Sequence, residues 1–363
     1  MKSYAKKISI LILIVVLLSL LCSCGGQTDT VKTIRVTDCV GRSIDVPDQP
    51  QSIATLDPFA GQAVIMYGAG DRMTATVGGV KRDLLLQRVC PSLAAAAVVK
   101  EEGSVNAEAV MAMGIDLMFI KSDLYYSNIE REKLDALGIP YLVIEYSSIE
   151  SQRAAFAVIG EALGQTEKAE VMEDYYQGVV EKVSQRVSEI PQPARPSLYH
   201  STSEALRTDT EGSLGAEWVG FTGVKNVSLG GELVFNEKNY YTTLEQIFVW
   251  DPDVIICNES GVADYMLNSK KWQGLRAVQE GRVYQVPIGA SRWGHDSSVE
   301  TPLAILWLAK TLYPDSFADV DLRSEMDWFY KTFYQYDLTG AEADLILSGK
   351  GIRSPGVGVS AEQ

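Results

Sequence analysis

An arginine, a tryptophan and a histidine stand within four positions of one another in the segment PIGASRWGHDSSVE at 287–300. The planar cation of Arg292 can bind a carboxylate or an oxyanion through paired hydrogen bonds, and Trp293 offers a flat aromatic face. His295 is one of only two histidines in the chain and could ligate a metal, with Asp296 holding its other ring nitrogen. A loop histidine bonded only to solvent or backbone is the ordinary alternative. The segment therefore predicts either a ligand contact or plain packing.

Other side chains that could contact a ligand follow predicted strands elsewhere. Strands and helices alternate in each half of the chain, which predicts parallel sheets, and ligands of such sheets bind beyond the carboxyl ends of the strands. The candidate ligand-binding residues at and near those ends are Asp57, Tyr125, Tyr126, His200, Arg207, Trp218, Arg292, Trp293 and His295. Arginines in a cleft favour a negatively charged ligand, although each could instead pair with a neighbouring acid. Since Tyr125 and Tyr126 cannot both point the same way in an extended loop, we expect one of them in the core.

Two segments of the chain repeat each other. NAEAVMAMGIDLMFI at 106–120 and TLEQIFVWDPDVIIC at 243–257 align without a gap, with Glu108 over Glu245. Each predicts a short helix with an acidic first turn, followed by a buried strand. Two such copies predict two lobes of similar build.

A long amphipathic segment lies between the repeats. Apolar residues spaced three and four apart in TEKAEVMEDYYQGVVEKVSQRVSEI predict a helix of about 36 Å, and the prolines that follow end it. We therefore predict an α/β fold with two Rossmann-like lobes, mainly parallel sheets, one long rigid linking helix and a ligand cleft between the lobes. The predicted boundaries are 34–165 for the N-terminal lobe, 166–190 for the linker helix, 191–350 for the C-terminal lobe and 351–363 for a disordered tail.

The N-terminus carries a targeting signal. Lysines precede the apolar run ISILILIVVLLSLL, which is too short for a comfortable membrane span and is typical of a secretory signal peptide. The run ends in LCSC, which resembles the lipobox of bacterial lipoproteins and predicts lipidation of Cys24. We predict a signal peptide over 1–24 and a flexible tether over 25–33, so that the mature protein is anchored to the cell membrane from outside. Cleavage elsewhere, with Cys24 unmodified, is the alternative.

Charge and cysteine content exclude some classes of protein. The net charge of −15 argues against nucleic acid as a partner, because a phosphate polymer would be repelled. Cys39, Cys90 and Cys257 follow the predicted signal peptide, without C-x-x-C spacing. Their odd number argues against a structural zinc site or a disulfide scaffold, although it leaves one Cys39–Cys90 bridge open.

Several separate motifs in the same order resemble the substrate-binding lipoproteins of ABC importers for ferric siderophores, haem and cobalamin. These motifs cover about residues 33–350 and are VTDCVGRSIDVPDQPQSIATL, YGAGDR, E…DPDVII, WQGLRAVQEGRVYQVP and LWLAKTLYPDSF. The resemblance implies an extracytoplasmic, lipid-anchored and monomeric receptor with a helical hinge, which delivers its ligand to an ABC importer permease. A receptor feeding a signalling partner would have the same sequence features.

The resemblance also assigns a docking role. In that family one glutamate on each lobe pairs with arginines of the permease, and Glu108 and Glu245 match those positions. A carboxylate at a helix start that is stabilised by the helix dipole, by about 0.3–1 kcal/mol, is the ordinary alternative. The chain departs from many relatives in one place, where Gly61 and Gln62 stand instead of a Thr-Glu pair.

The predicted ligand is an anionic metal chelate, first of all a ferric siderophore. Arg207 and Arg292 would hold it, with Trp293 and a tyrosine against its organic face. Because a bare ion needs three or four protein ligands, two histidines suit a metal that is already chelated, and we predict no resident cofactor or protein metal site. Haem ligated by His200, His295 or Tyr125 is the nearest alternative. Cobalamin and a small oxyanion such as molybdate follow.

Catalysis finds little support in the sequence. Ser201 beside His200, or His295 beside Asp296, could be fragments of a hydrolase triad, but neighbours in sequence rarely face one another in such sites. The chain has no G-x-S-x-G, G-x-x-x-x-G-K-[ST] or H-E-x-x-H motif. We therefore predict a binding protein rather than an enzyme and assign no catalytic residue.

Overall fold

The computed structural model describes residues 32–101 and 103–352 of the chain. The predicted signal peptide with Cys24, almost all of the predicted tether and residues 353–363 lie outside the described residues. From Ile34 onward the described residues belong to one compact unit. Within the described ranges, no helix combines the length and the apolar composition that crossing a membrane requires.

A parallel sheet forms the centre of the first lobe. The strands of this lobe are β1 (Thr33–Thr37), β2 (Ser43–Pro47), β3 (Ile53–Thr55), β4 (Met73–Thr76), β5 (Ala97–Val98), β6 (Lys100–Glu101), β7 (Ser104–Val105), β8 (Leu117–Lys121) and β9 (Tyr141–Ile144). The parallel strands have the order β5-β4-β3-β8-β9, and β1 pairs with β2 and β6 with β7 in two smaller sheets. The helices are α1 (Pro58–Met66), α2 (Gly78–Lys81), α3 (Leu84–Val89), α4 (Ala107–Ala112), α5 (Ser122–Tyr126), α6 (Asn128–Leu137) and α7 (Ile149–Ala162).

A second parallel sheet forms the centre of the second lobe. Its lobe contains the strands β10 (Ser197–Ser201), β11 (Lys225–Asn226), β12 (Val234–Asn236), β13 (Asn239–Tyr241), β14 (Val254–Cys257) and β15 (Val283–Gln285). The parallel strands have the order β11-β10-β14-β15, and β12 and β13 form an antiparallel hairpin. The remaining helices are the linker α8 (Thr166–Ser188), then α9 (Leu214–Gly220), α10 (Leu244–Trp250), α11 (Val262–Asn268), α12 (Arg276–Gln279), α13 (Thr301–Leu312), α14 (Leu322–Tyr334) and α15 (Gly340–Leu347).

The linker helix α8 begins at the predicted residue and ends two residues before the predicted end. It packs against α7 and α13. The residues that it buries are Ala169, Met172, Tyr176, Val179, Val183 and Val187. The three-and-four spacing selected these residues and also Ile190, which lies beyond the end of the helix and is only partly buried. Pro191 follows as a helix terminator. The predicted fold, two α/β lobes with mainly parallel sheets joined by one long helix, is confirmed.

The two sequence repeats occupy equivalent places in the two lobes. Glu108 is the second residue of α4, which is capped by the side chain of Asn106, and Glu245 is the second residue of α10, which is capped by Thr243. Both glutamates are exposed. Each helix leads into a central strand of its sheet, β8 in the first lobe and β14 in the second.

An aspartate before each of these strands explains part of the repeat. Asp116 accepts hydrogen bonds from the backbone amides of Gln51 and Ser52, at 2.7 and 3.1 Å, just before β3. Asp253 accepts from the backbone amide of Ser197, at 2.8 Å, where β10 begins. In both lobes the carboxylate therefore ties a strand to the start of its parallel neighbour, where backbone donors would otherwise lack partners.

The cysteines that follow the predicted signal peptide are free thiols. Cys39 and Cys90, the pair that the sequence left open, form no bridge, and Cys257 is buried. Burial raises the pKa of Cys39 to about 11, so this thiol stays protonated and weakly reactive at neutral pH.

One buried carboxylate on helix α15 joins this helix to the first lobe. Glu342, which is 4% exposed, accepts a hydrogen bond from Arg88 on α3 at 2.5 Å. It also accepts from the hydroxyl of Tyr336 at 2.9 Å and from the amide of Thr339 at 2.8 Å. Burial acts to raise the pKa of Glu342, but hydrogen bonds from Thr339, Arg88 and Tyr336 outweigh it and lower that pKa to about 2.

We predict that Glu342→Gln lowers the free energy of unfolding by about 1–3 kcal/mol at neutral pH, because an amide turns a donor toward Arg88. The folded pKa lies below the ordinary value of 4.5. The stabilisation by Glu342 is therefore present above about pH 5 and is lost as the pH falls toward about 2. Urea unfolding of both proteins across this pH range measures the difference.

Asp344→Asn is the matched control, because Asp344 lies on the same helix and pairs with Arg323 at the surface. We expect it to change stability by less than about 0.5 kcal/mol. A Glu342→Gln effect that stayed constant between pH 7 and pH 3 would contradict the assignment.

Candidate ligand-binding site

Two neighbouring cavities meet at His295. The large cavity has a volume of about 510 Å³ and is walled by both lobes. It is lined by Pro58, Gln62, Gly79, Val80, Arg82, Asp83, Leu84, Leu86, Glu259, Ala290, Ser291, Arg292, His295, Ser297 and Ile352. The small cavity has a volume of about 190 Å³ and is walled by the second lobe alone. It is lined by His200, Thr202, Arg207, Thr208, Asp209, Thr210, Ser213, Gly215, Lys238, Asn239, Tyr240, Asn258, Gly294, His295 and Asp296.

An arginine without a partner lies in the small cavity. Among residues 32–101 and 103–352, the guanidinium of Arg207 makes no hydrogen bond or ion pair. The β12–β13 turn brings Lys238 to the same cavity, and this turn requires a left-handed backbone at Glu237 and Lys238. Hydroxyl groups of Thr202, Thr210 and Ser213 complete a lining rich in hydrogen-bond donors. Such a lining suits a ligand that carries negative charge.

His295 lies where the two cavities meet, and its pKa reflects burial and the charges around it. Burial, followed by the positive charges of Arg292, Arg207 and Lys121, holds the pKa of His295 well below its ordinary value. The ring is therefore neutral at physiological pH, and its Nδ1 lies 3.3 Å from the hydroxyl oxygen of Ser297. Cations from both lobes converge on this point although the whole chain has a net charge of −15.

Arg292 differs from Arg207 because it has an acidic partner. Its guanidinium donates to Glu259 at 2.5 Å, and both residues line the large cavity. The alternative that an arginine is paired with a neighbouring acid therefore applies to Arg292.

A buried carboxylate holds the loop that carries Arg292 and His295. Glu300 is fully buried and accepts hydrogen bonds from the backbone amides of Ala290 and Ser291, at 3.3 and 2.9 Å. It also accepts from the indole of Trp293 at 3.0 Å and from the hydroxyl of Tyr330 at 2.5 Å. Four donors therefore fix one carboxylate, which makes its burial tolerable.

The same cluster explains a glycine in the loop. A side-chain carbon at Gly289 would collide with the Glu300 carboxylate and the Tyr330 hydroxyl. Close approach of the backbone to Glu300 therefore requires a residue without a side chain. The buried Trp293 helps to hold the loop that presents Arg292 and His295, because its indole donates to Glu300.

Trp218 and Trp293, which the sequence predicted to contact the ligand, belong to the core instead. Trp293 and Trp218 are fully buried, and the indole of Trp218 donates to the carbonyl of Gly294 at 2.9 Å. His200 lines the small cavity, but both of its ring nitrogens are used. They lie 2.7 Å from Asp209 and 2.7 Å from Asn258. Since neither nitrogen is free, His200 is suited to positioning its neighbours and not to ligating a metal.

Asp57, Tyr125 and Tyr126 line neither cavity. The carboxylate of Asp57 caps α1 and accepts from the Tyr146 hydroxyl at 2.6 Å, which leaves it 1% exposed. The two tyrosines lie in the short helix α5 and not in an extended loop. Tyr125 is half-buried against the first-lobe core with the guanidinium of Arg42 over its ring, whereas Tyr126 is exposed.

Two glutamines, Gln62 and Gln152, join the first lobe to the loop that carries Arg292 and His295. The sequence alone did not identify them. The Gln62 amide on α1 donates to the carbonyl of Ser297 at 2.9 Å. The Gln152 amide on α7 donates to the carbonyl of Ser298 at 3.0 Å and accepts from Tyr176 at 2.6 Å. Only tertiary structure reveals these contacts.

Two further cations line the cavities, Arg82 the large one and Lys238 the small one. Arg82 follows α2, beyond the carboxyl end of β4, where the rule that selected the other candidates also applies. Lys238 lies in a hairpin whose position over the small cavity has no sequence signal. In the described part of the chain, no group of three or more histidine, cysteine, aspartate or glutamate residues could hold a metal ion.

Comparisons of sequence and structure with known proteins agree with this architecture. A sequence model described as "Periplasmic binding protein" matches residues 53–288. The molybdate-binding protein MolA of Haemophilus influenzae is 24% identical over 326 residues, which are 83% of this chain and 90% of that protein. A periplasmic solute-binding protein of Veillonella parvula has a similar structure, with a TM-score of 0.76, 26% identity and coverage of 87% of this chain and 97% of that one. The structure of MolA with bound molybdate has a TM-score of 0.72 and 20% identity, with coverage of 84% of this chain and 99% of that one.

Proposed function

The chain belongs to the periplasmic binding protein family, and we propose that it captures a small anionic ligand outside the cytoplasm for delivery to an ABC importer. Its family and its structural neighbours consist of solute-binding proteins and not of enzymes. MolA, whose structure is similar, is the binding protein of an ABC transporter. A permease is therefore the expected partner.

The proposal of an anionic ligand rests on the cation of Arg207 in the small cavity. Within the described ranges this guanidinium has no acidic partner, and an unpaired cation in a partly enclosed site is costly unless an anion joins it. Burial is the first cause of the depressed pKa of His295, and the positive field of Arg292, Arg207 and Lys121 adds to it. A ligand with negative charge would offset that field.

A small oxyanion of the molybdate type fits the small cavity best. Its volume of about 190 Å³ is below the range of about 300–1,000 Å³ that is typical of organic ligands. Guanidinium, ammonium and hydroxyl donors line it, and these are the groups that bind oxyanions. The relative MolA is named for molybdate, which supports the same class of ligand here.

The ferric siderophore expected from the sequence is the second candidate. The large cavity favours it, because about 510 Å³ accommodates an organic chelate. Its predicted aromatic contacts have lost support, since Trp218 and Trp293 are fully buried and Tyr126 lies away from both cavities. Haem loses two of its three predicted iron ligands, because both ring nitrogens of His200 are occupied and Tyr125 lines neither cavity, and it keeps His295.

We predict that Arg207→Ala weakens binding of the oxyanion by about 1.5–3 kcal/mol, the usual contribution of a charge-assisted hydrogen bond. Thermal-shift screening against molybdate, ferric siderophores, haemin and cobalamin identifies the ligand class, and titration calorimetry then measures the affinity. Arg35→Ala removes an arginine of a surface ion pair and should leave binding unchanged. Equal affinity of the wild type and Arg207→Ala for the ligand would contradict this proposal.

We further propose that Glu108 and Glu245 dock the permease. Both are exposed, and neither makes a hydrogen bond or ion pair with another described residue. Their equivalent positions in the two lobes suit a partner with two equivalent basic sites. The helix dipole stabilises both carboxylates whether or not they dock, so the test of docking uses a control that changes the dipole interaction equally.

Reversal of both charges, with Glu108→Lys and Glu245→Lys, should lower ligand uptake by cells and leave the affinity of the purified protein unchanged. Glu150→Lys with Glu167→Lys is the matched control, because these exposed glutamates are also second residues of helices. The control removes the same dipole interactions without touching the proposed docking face. Normal uptake in the first double variant would exclude docking through these glutamates.

We also propose that the mature protein is anchored through lipidated Cys24. The apolar run that ends in LCSC supports this. In cell fractionation, the wild type should sediment with membranes, and Cys24→Ala should leave the membrane fraction or remain unprocessed. Wild-type protein found free in the soluble extracytoplasmic fraction would refute the anchor.

A further inference from the structure

We propose that His200 carries a positive charge at neutral pH and that the small cavity depends on this charge to bind an anion. The inference rests on the proposed function, because it concerns the oxyanion site that contains Arg207. His200 acts on the ligand by neutralising Asp209, which lines the same cavity. It is therefore a positioning residue and not a metal ligand.

Both ring nitrogens of His200 face hydrogen-bond acceptors. Nδ1 lies 2.7 Å from Oδ2 of Asp209, and Nε2 lies 2.7 Å from Oδ1 of Asn258. The orientation of the Asn258 amide is fixed, because its nitrogen donates to the carbonyl of Trp293 at 3.2 Å. A neutral histidine has a single N–H, so two acceptors require the doubly protonated, cationic ring.

The contacts of Asp209 are those of an ionised carboxylate. Besides the His200 ring, its Oδ2 accepts from the amide nitrogen of Asn226 at 3.0 Å. The orientation of Asn226 is fixed in turn, because its oxygen accepts from the backbone amide of Ser228 at 3.2 Å. Two N–H donors on one oxygen favour the charged form.

Burial and the neighbours of His200 act on its pKa in opposite directions. The ring is 1% exposed, and burial acts to lower the pKa. The charge and the hydrogen bond of Asp209, the hydrogen bond of Asn258 and the charge of Asp296 outweigh burial and raise the pKa above its ordinary value of 6.5. This direction agrees with the cationic ring that the hydrogen bonds require.

The net charge of the small cavity depends on His200. The other titratable side chains of the lining are Arg207, Asp209, Lys238, Tyr240, His295 and Asp296. They supply two cations and two carboxylates, while burial and nearby cations keep His295 neutral and a tyrosine hydroxyl is ordinarily uncharged. Trp218, which contacts the His200 ring from α9, carries no charge. The lining is therefore positive overall when His200 is protonated and neutral overall when it is not.

Anion affinity should consequently fall as the pH rises through the pKa of His200. Below that pKa the lining is positive, and above it the carboxylates balance the cations of Arg207 and Lys238. Because the cationic ring favours the ligand, a bound anion raises the pKa of His200 further. Binding at alkaline pH is therefore coupled to the uptake of a proton.

The charge of His200 is directly measurable because the chain has only two histidines. With isotope-labelled histidine, the NMR signals of the ring nitrogens distinguish the cationic ring from the neutral tautomers, and His295→Asn assigns them. We expect a doubly protonated His200 and a neutral His295 at about pH 7.5, where an ordinary histidine is mostly neutral. One bare ring nitrogen on His200 at this pH overturns the inference and leaves the oxyanion site standing.

Molybdate is the probe for the role of this charge in binding. Calorimetry of the wild type should show an affinity that falls about tenfold as His200 deprotonates. His200→Asn removes the charge and keeps an amide donor near the position of Nδ1. It should weaken binding about tenfold at neutral pH and abolish the pH dependence. His295→Asn is the matched control, because the same substitution at the other histidine should leave the pH dependence in place.

A second substitution separates the charge of His200 from its contribution to structure. In His200→Asn with Asp209→Asn, a cation and a carboxylate are both removed, so the lining regains the positive charge that His200→Asn lacks. The double variant should bind molybdate about tenfold more tightly than His200→Asn, without pH dependence. A purely structural role predicts further weakening instead, because more of the native hydrogen bonds are lost.

The outcomes separate this inference from the proposed function, and the wild-type measurements require no variant to fold. Molybdate affinity that stays constant while His200 titrates overturns the role of His200 and leaves the oxyanion site standing. So does a double variant that binds no better than His200→Asn. Failure of the wild type to bind molybdate at any pH overturns the oxyanion proposal together with the role in binding that rests on it, while the NMR signals decide the charge of His200 separately.

Discussion

The site depends first on the buried carboxylate of Glu300. Desolvation of a carboxylate is costly, and the loop offsets that cost by turning two backbone amides and the Trp293 indole toward it. Tyr330 supplies the fourth donor from α14. None of the four donors comes from the side chain of Arg292 or His295, and both of these residues line the large cavity. The same interaction explains why a tryptophan beside these residues is part of the support and not part of the binding surface.

The sequence predicted the fold better than the site, for a physical reason. Strand alternation, the spacing of apolar residues in α8 and the repeat around Glu108 and Glu245 are local patterns, and local patterns survive without tertiary information. Four site candidates line the cavities, and each lies at or after the carboxyl end of a strand: His200, Arg207, Arg292 and His295. Residue type alone could not separate an aromatic ring that faces a ligand from one that faces the core, as Trp218 illustrates. Gln62 and Lys238 were missed because long-range folding brings each to its cavity.

A positive field in a strongly acidic chain requires that nearby acids be neutralised locally. Asp209 lies in the small cavity, but its carboxylate accepts from Asn226 at 3.0 Å and contacts His200 at 2.7 Å. Glu259 is likewise engaged with Arg292 in the large cavity. Asp209 and Glu259 are therefore each matched by a donor, whereas the exposed carboxylate of Asp296 also lines the small cavity together with the cations Arg207 and Lys238. The net charge of −15 belongs to the whole chain and affects long-range encounter more than binding at the site.

The small cavity is built from the second lobe alone, and this has a thermodynamic consequence. A guest shifts a conformational equilibrium only by its difference in affinity for the two states. An ion confined to the small cavity makes the same contacts at every angle between the lobes, so its binding carries no information about that angle. Contacts in the large cavity change with the angle, since Arg82 lies on one wall and Arg292 on the other. A ligand that reaches only the small cavity would thus leave the angle between the lobes free, whereas one that also reaches the large cavity would favour a particular angle.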